Sequence, residues 1–274
     1  MKYFYEKLSG DDYKIGYGIK KNIYSKKNKN NKIEIIENPF LGKLFILNGL
    51  IKLIEKYEFV LSEMIAHSVM FSHPKPEKIL LISEFDRGII KEIVKHKSVS
   101  EIYFISSNKE AQEAFEDNFP TLKLKSDPKI KIIFDDPINY IKNFQDYFDV
   151  IIVDSNNPDF KDKDFLKSVS KSLTKEGMFE LSCPFLKESL AIKNEFKSLK
   201  SVFKYETLLK TPMSLQIFSN LGTMLCSKKI DVSEINLRVL ATRFKQFKEA
   251  KKLQYYSPEI HLSSMIIPKF YKLK

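Results

Sequence analysis

Apolar residues recur along this chain with two different periods. Between residues 32 and 53 they come in short runs, KIEIIE (32–37), KLFILN (43–48) and the stretch from Gly49 to Leu53, with NPFLG between the first two. Short β-like runs bounded by Asn, Pro and Gly predict antiparallel hairpins. From Glu55 the period lengthens: Val60, Leu61, Met64, Ile65 and Val69 lie three to four residues apart, as one face of a helix requires, and His73-Pro74 ends it. Strand-like and helix-like segments then alternate. Strands are expected at 78–82, 101–105, 130–134 and up to Asp154, with helices to about His96, from Lys109 and over 138–144. A helix near 165–173, a strand at 178–182, a helix to Leu199 and β runs near 201–209 and 223–228 continue the series. The pattern predicts an α/β protein with a small N-terminal β-strand domain, residues 1–54, and a doubly wound α/β domain, residues 55–274.

One run carries a chemical signal. Residues 148–158 read F-D-V-I-I-V-D-S-N-N-P. So short and apolar a run suits a strand buried on both faces of a parallel sheet. Asp154 would then stand at its carboxyl end, where open α/β sheets place their ligands. It would equally serve as a turn cap, as Asp, Ser and Asn often do. On the local sequence these two readings stand level.

Composition narrows the class. The 274 residues, 43% hydrophobic with 22 Phe, suffice for a full core. No apolar stretch is long enough to span a bilayer, and MKYFYEKLSG lacks the apolar core of a signal peptide, so a soluble cytoplasmic protein without a membrane partner is expected. Cys183 and Cys226 have neither the number nor the spacing of a metal site or disulfide framework, and read as buried thiols. The four histidines, His67, His73, His96 and His261, are scattered and show no ligand pairing, so no metal is expected. The net charge of +11 raises the question of nucleic acid. The lysines, however, are spread along helices among glutamates. The exception, Lys20, Lys21, Lys26, Lys27, Lys29 and Lys32, reads as a solvated hairpin loop, and no nucleic-acid partner is expected.

Several stretches together resemble the spermidine synthases, or polyamine aminopropyltransferases. They are IENPFLGKLFILNGLIKLIEKYEFVLSEMIAH (36–67), HPKPEKILLISEFDRGIIKEIVKH (73–96), FDVIIVDSNNP (148–158) and YYSPEIHLSSMIIPKF (255–270), in the family's order and spacing. The resemblance implies a Rossmann-like, methyltransferase-type domain behind the N-terminal strands. It implies transfer of the aminopropyl group of decarboxylated S-adenosylmethionine to putrescine, with release of methylthioadenosine. That nucleoside is a co-substrate, and no cofactor is implied. By match to the family's D-S/C-T-D-P motif, Asp154 is the catalytic base, followed by Ser155, Asn156 and Asn157 in the substrate site. The family's members form dimers or larger oligomers, so a homodimer or homotetramer is expected.

The departures from the family pattern are as informative. The Gly-rich turn after the first strand of the α/β domain is here Ser83-Glu84-Phe85-Asp86-Arg87-Gly88, which retains only Asp86, the implied contact of the aminopropyl ammonium, and the last glycine. The acidic residue that holds the ribose hydroxyls is Ser106, one hydroxyl in place of two carboxylate oxygens. Asp136-Pro137 replaces the D-G beside the adenine. On the amine side Asn157 replaces the second aspartate, Leu61-Ser62 replaces a Tyr-His pair, Gln216 stands for a tyrosine and Asn31 for a glutamine. Glu55, Glu58 and Glu63 keep the family's acidic pattern, though helix geometry favours a solvated or ion-paired face for Glu58 and Glu63. The changes leave open a noncatalytic relative that binds a polyamine or a partner. A nucleic-acid methyltransferase is the third reading, against which N-N-P at 156–158 lacks the aromatic residue that stacks an extruded base.

Overall fold

The computed structural model of the chain describes residues 2–7, 14–29, 31–185, 189–216 and 219–269. Two antiparallel sheets open it. One pairs β1 (Lys2–Lys7) with β2 (Lys14–Ile19), and the other runs β3 (Lys21–Lys27), β4 (Lys32–Asn38), β5 (Gly42–Leu47) and β6 (Leu50–Ile54). The β5–β6 turn is Asn48-Gly49, with φ of 53° and 81°, the left-handed pair that a tight hairpin demands. The strands up to Lys27 lie outside the runs read from sequence, because their apolar residues are too few to show a period. The basic patch lies on the β3–β4 hairpin with its six lysines exposed, most of them in the strands rather than in the loop.

The α/β region follows with α1 (Glu58–Ser72), β7 (Lys78–Ser83), α2 (Ile89–Ile93), β8 (Glu101–Ser106), α3 (Lys109–Asn118), β9 (Ile130–Phe134), α4 (Pro137–Tyr140) and β10 (Phe148–Asp154). It closes with α5 (Lys163–Ser172), β11 (Leu173–Phe185), α6 (Ser189–Lys200), β12 (Tyr205–Gln216), β13 (Ser219–Ser227), α7 (Leu237–Gln246) and α8 (Pro258–Ser264). Among the described residues these strands form one seven-stranded sheet in the order β12-β13-β11-β10-β7-β8-β9. Strands β11, β10, β7, β8 and β9 are parallel, and β13 runs antiparallel to both its neighbours. The central strands β7, β8 and β10 are almost wholly buried, as from Ile79 to Ile82 and from Val150 to Val153, because helices cover both faces, whereas the edge strand β9 has no buried residue.

Three expectations shift. The helix expected up to His96 ends at Ile93, and the run expected from Ser201 becomes strand only at Tyr205 and extends to Gln216. The sequence reading left out α7 and α8. These two helices explain the third difference: α1 is buried all round, not on one face, since the sheet lies on one side and Leu240, Phe247 and Tyr256 on the other. Glu63 is therefore neither solvated nor ion-paired. Its carboxylate accepts the backbone N–H groups of Gln254 (2.9 Å), Tyr255 (2.8 Å) and Tyr256 (2.8 Å). Glu58 is half-buried, with Ser62 Oγ donating to its Oε2 at 3.0 Å, and burial raises its pKa.

The histidines also come together. His67 Nδ1 lies 2.9 Å from His96 Nε2, and His67 Nε2 lies 3.1 Å from Glu92 Oε2, because α1 and α2 are adjacent. Burial holds both imidazoles below the usual histidine range. Among the described residues no group of three or more His, Cys, Asp or Glu side chains is arranged to hold a metal ion.

The Glu63 contact ties the chain's last segment to α1, so Glu63→Ala should cost about 3 kcal/mol, the sum expected when charge-assisted bonds to partly buried N–H groups are lost. Denaturant unfolding measures this; a loss under about 0.5 kcal/mol, the range of an ordinary surface substitution, would show that the clamp carries little.

Candidate active site

The strand order of the large sheet reverses between β7 and β10, and ligands of open α/β sheets sit beyond the strand ends at such a point. Ser83 and Asp154 end these strands directly opposite each other. The loop after Ser83 must therefore pass in front of Asp154.

That loop distributes its side chains to four places. Phe85 turns away from the site into the core between β5 and α3, its ring 4.2 Å from Phe45 and 5.3 Å from Phe115. Asp86 turns inward, where Oδ1 accepts from the N–H groups of Gly88 (3.2 Å) and Ile90 (3.1 Å) at the start of α2. Oδ2 is buried without a partner among the described residues, and desolvation pushes the carboxyl up to about 7. Gly88 has φ of +98°, the left-handed region that favours glycine, and a Cβ there would also push the Glu58 carboxylate, whose Oε2 would stand 2.9 Å away. Glu84 and Arg87 face the site.

Two cavities adjoin at this place. The smaller, of about 80 Å³, is bounded by Leu61 and Ile65 of α1, Arg87, Asp154, Ser155, Asn156, Ser182, Cys183, Thr211 and Thr223. The larger, of about 450 Å³, is bounded by Asn31, Asn48, Glu84, Ser107, Asn108, Pro137, Asn157 and Phe160. Leu50 and Lys52 of β6, together with Ser155, belong to both walls. Asp154 is held at both oxygens. Ser182 Oγ donates to Oδ1 at 3.0 Å, and Arg87 Nε stands 2.8 Å from Oδ2. Ser155 Oγ donates to Glu84 Oε1 at 2.7 Å, so the partition between the cavities is itself a hydrogen bond.

The sequence candidates thus separate. Asp154, Ser155 and Asn156 meet in the smaller cavity; Asn31, Pro137, Asn157 and again Ser155 meet in the larger. Asn157 also caps a 3-10 turn, accepting from Asp159 N–H at 3.0 Å. Asp136 is exposed and caps α4, accepting from Ile138 N–H (2.9 Å) and Asn139 Nδ2 (2.6 Å). Ser62 is buried against Glu58, and its neighbour Leu61 forms cavity wall instead. Ser106 is fully buried; its hydroxyl donates to the Glu84 carbonyl and accepts from Asn108 N–H, both at 2.9 Å. The structure brings Ser62, Ser106 and Asp86 to neither wall. The side chain of Gln216 lies outside the described residues; its backbone pairs with Ser219.

Sequence reasoning missed Glu84 and Arg87, which it counted only as lost glycines, and Lys52. The available signal was two opposite charges in a loop that follows a buried strand. Glu180 was missed too. It is fully buried one layer behind the smaller cavity, accepts from Ser68 Oγ at 2.7 Å, and is pushed up to about 8 by desolvation.

A family model described as the spermine/spermidine synthase domain matches residues 58–236. The chain belongs to the spermine/spermidine synthase family. It is 33% identical to a polyamine aminopropyltransferase of Hydrogenobaculum sp., over 98% of this chain and 95% of the relative. A spermidine synthase of Schizosaccharomyces pombe is 28% identical, over 92% and 86%. Among solved structures, a spermidine synthase in complex with the transition state analogue AdoDATO superposes with a TM-score of 0.91 at 27% identity, covering 99% of this chain and 94% of the other. The spermidine synthase of Thermotoga maritima gives 0.88 at 27% identity, over 98% and 93%. The family's fold, a Rossmann-like α/β domain with N-terminal antiparallel strands, is the one seen here.

The raised carboxyl of Asp86 makes stability depend on pH. Its unfolded value is 3.8 and its folded value about 7, so protonated Asp86 contributes fully below 3.8, and the contribution is lost as the pH rises through about 7. Relative to the native protein, Asp86→Asn should therefore gain up to about 4 kcal/mol between about pH 4 and about pH 8. Urea titrations of both proteins across that range measure the slope; a constant difference would mean that Asp86 is ionised throughout.

Proposed function

We propose that this member of the family is a spermidine synthase, which transfers the aminopropyl group of decarboxylated S-adenosylmethionine to putrescine and gives spermidine and methylthioadenosine. The observation that carries the reading is the placement of Asp154 at the strand reversal, on the wall of a narrow cavity that opens beside a larger one. The larger cavity accommodates the nucleoside. The smaller takes the amine, and the reaction occurs at the partition by Ser155. The amine nitrogen attacks the methylene carbon beside the sulfonium, the carbon–sulfur bond breaks with its electron pair going to sulfur, and Asp154 takes the amine's proton. Alignment of nucleophile and carbon by the two cavities supplies most of the rate, and the base supplies the rest.

On the nucleoside side the residues support a redistribution of roles. Ser106 is occupied within the fold, whereas Glu84 presents a carboxylate to the larger cavity, with Oε2 buried and without a partner among the described residues. Glu84 therefore meets the ribose hydroxyls, and Asn31, Asn108, Pro137 and Asn157 shape the remainder. Asp86 acts as the support of the loop, and Asp136 stands at the rim beside Pro137. The protein works in the cytoplasm, where two buried thiols stay reduced, and forms at least a dimer. Tyr3, Tyr5 and Phe40, half or more exposed on the N-terminal sheets, support a covered surface there.

Purified protein supplied with decarboxylated S-adenosylmethionine and putrescine should release methylthioadenosine. Asp154→Asn should slow turnover by about 10² to 10⁴, the usual loss with a general base, and Glu84→Gln should chiefly raise KM for the nucleoside. No methylthioadenosine from folded protein with any diamine would sink the reading.

Light scattering at tens of micromolar protein checks assembly. A dimeric or larger mass is expected, and a monomeric mass would remove the proposed interface.

A further inference from the structure

The guanidinium of Arg87 occupies the place that an acceptor's ammonium needs. Its side chain is only 10% exposed, and it shares the smaller cavity with Asp154, the one carboxylate on that wall among the described residues. Ser182 donates to Oδ1, and Oδ2 has Arg87 beside it at 2.8 Å and Ser83 Oγ at 3.4 Å, so an incoming ammonium must crowd or displace the guanidinium to reach Oδ2. Among the described residues the other charged group on the wall is Lys52, so Arg87, Lys52 and Asp154 together contribute one net positive charge to the cavity. A diamine brings two more, and like charges in a confined, poorly hydrated space repel strongly.

We propose that Arg87 is a specificity-determining residue: a resident cation that competes with the acceptor for Asp154, so that amine binding is an exchange of one cation for another. Two features make the exchange physically accessible. The contact is an ion pair at 2.8 Å in which Nε–H lacks hydrogen-bond alignment, so displacing it sacrifices charge pairing and no well-directed bond. The guanidinium also sits on a flexible three-carbon stem, which swings without a change in the backbone. The exchange selects acceptors whose own ammonium reaches Oδ2. It also keeps the buried carboxylate paired when no amine is present, as a charge in such a place requires. The nucleoside is untouched, because Arg87 is absent from the larger cavity.

The inference rests on the aminopropyl-transfer reading, and its test separates the two. Arg87→Met retains the stem and removes the cation. Its KM for putrescine should fall at least tenfold while the dissociation constant for methylthioadenosine stays within twofold. Putrescine should also raise its melting temperature more than that of the native protein. An unchanged or raised KM, with methylthioadenosine binding intact, would overturn the proposal and make Arg87 a substrate-holding or purely structural group. If neither protein turns over, the melting shift decides: a larger shift for R87M upholds the competition and counts only against the activity, and an equal or smaller shift overturns it. Should R87M not fold, R87K carries the test. Its compact ammonium lacks the fork that guanidinium presents to a carboxylate, so a lower KM is expected and an unchanged or higher one overturns the proposal.

Discussion

The pairing of β7 with β10 at the strand reversal is the constraint on which the rest of the site depends. Since the two strands are parallel and end in register, Ser83 beside Asp154, the five residues between β7 and α2 have no path except across the face of that carboxylate. Each side chain must then find its own surroundings within a few ångströms. The aromatic ring goes to the apolar interface under the small sheet, one carboxylate to the start of α2, one to the larger cavity and the guanidinium to Asp154. A Gly-rich loop lets the backbone approach a nucleoside. This loop is bulkier but sends its largest apolar group the other way, so both cavities remain open.

Charge in the site follows from burial. Taking a carboxylate out of water is costly, and the structure handles three of them differently. Glu180 and Asp86 are pushed up to about 8 and about 7, so near neutrality the first is largely neutral and the second is on the edge of ionisation. Asp154 instead has a cation beside it. That arrangement is weak grounds for stability, since desolving both partners offsets much of their attraction. Its significance is chemical, because the carboxylate proposed as the base of the reaction stands against a cation of the chain itself. Among the described residues the surface excess of lysine enters the site only through Lys52.

The site's walls also depend on segments remote in sequence. The small sheet contributes Leu50 and Lys52 to both cavities, and its core, through Phe45 and Phe85, is continuous with α3. α1 contributes Leu61 and Ile65, and it is held in position from behind by α7, Tyr256 and the Glu63 clamp. Burial on all sides explains why its polar residues, Glu63, His67 and Ser68, carry hydrogen bonds instead of meeting water.

Local pattern by itself determined the parallel strands, the helix that begins after Glu55, the β5–β6 turn and the location of Asp154 at a strand end. These are set by periods of two and 3.6 residues and by turn chemistry, which act between near neighbours. The motif order along the chain further determined its family. What only the tertiary structure decided is the company each polar side chain keeps. Ser106 aligned with a ligand-binding carboxylate yet spends its hydroxyl inside the fold, Glu63 looked solvated on a helical wheel yet is covered by residues almost two hundred positions later, and Arg87 read as a lost glycine yet pairs with Asp154. The physical reason is that hydrogen bonds and desolvation depend on distances of about 3 Å between residues far apart in sequence, which no local period encodes.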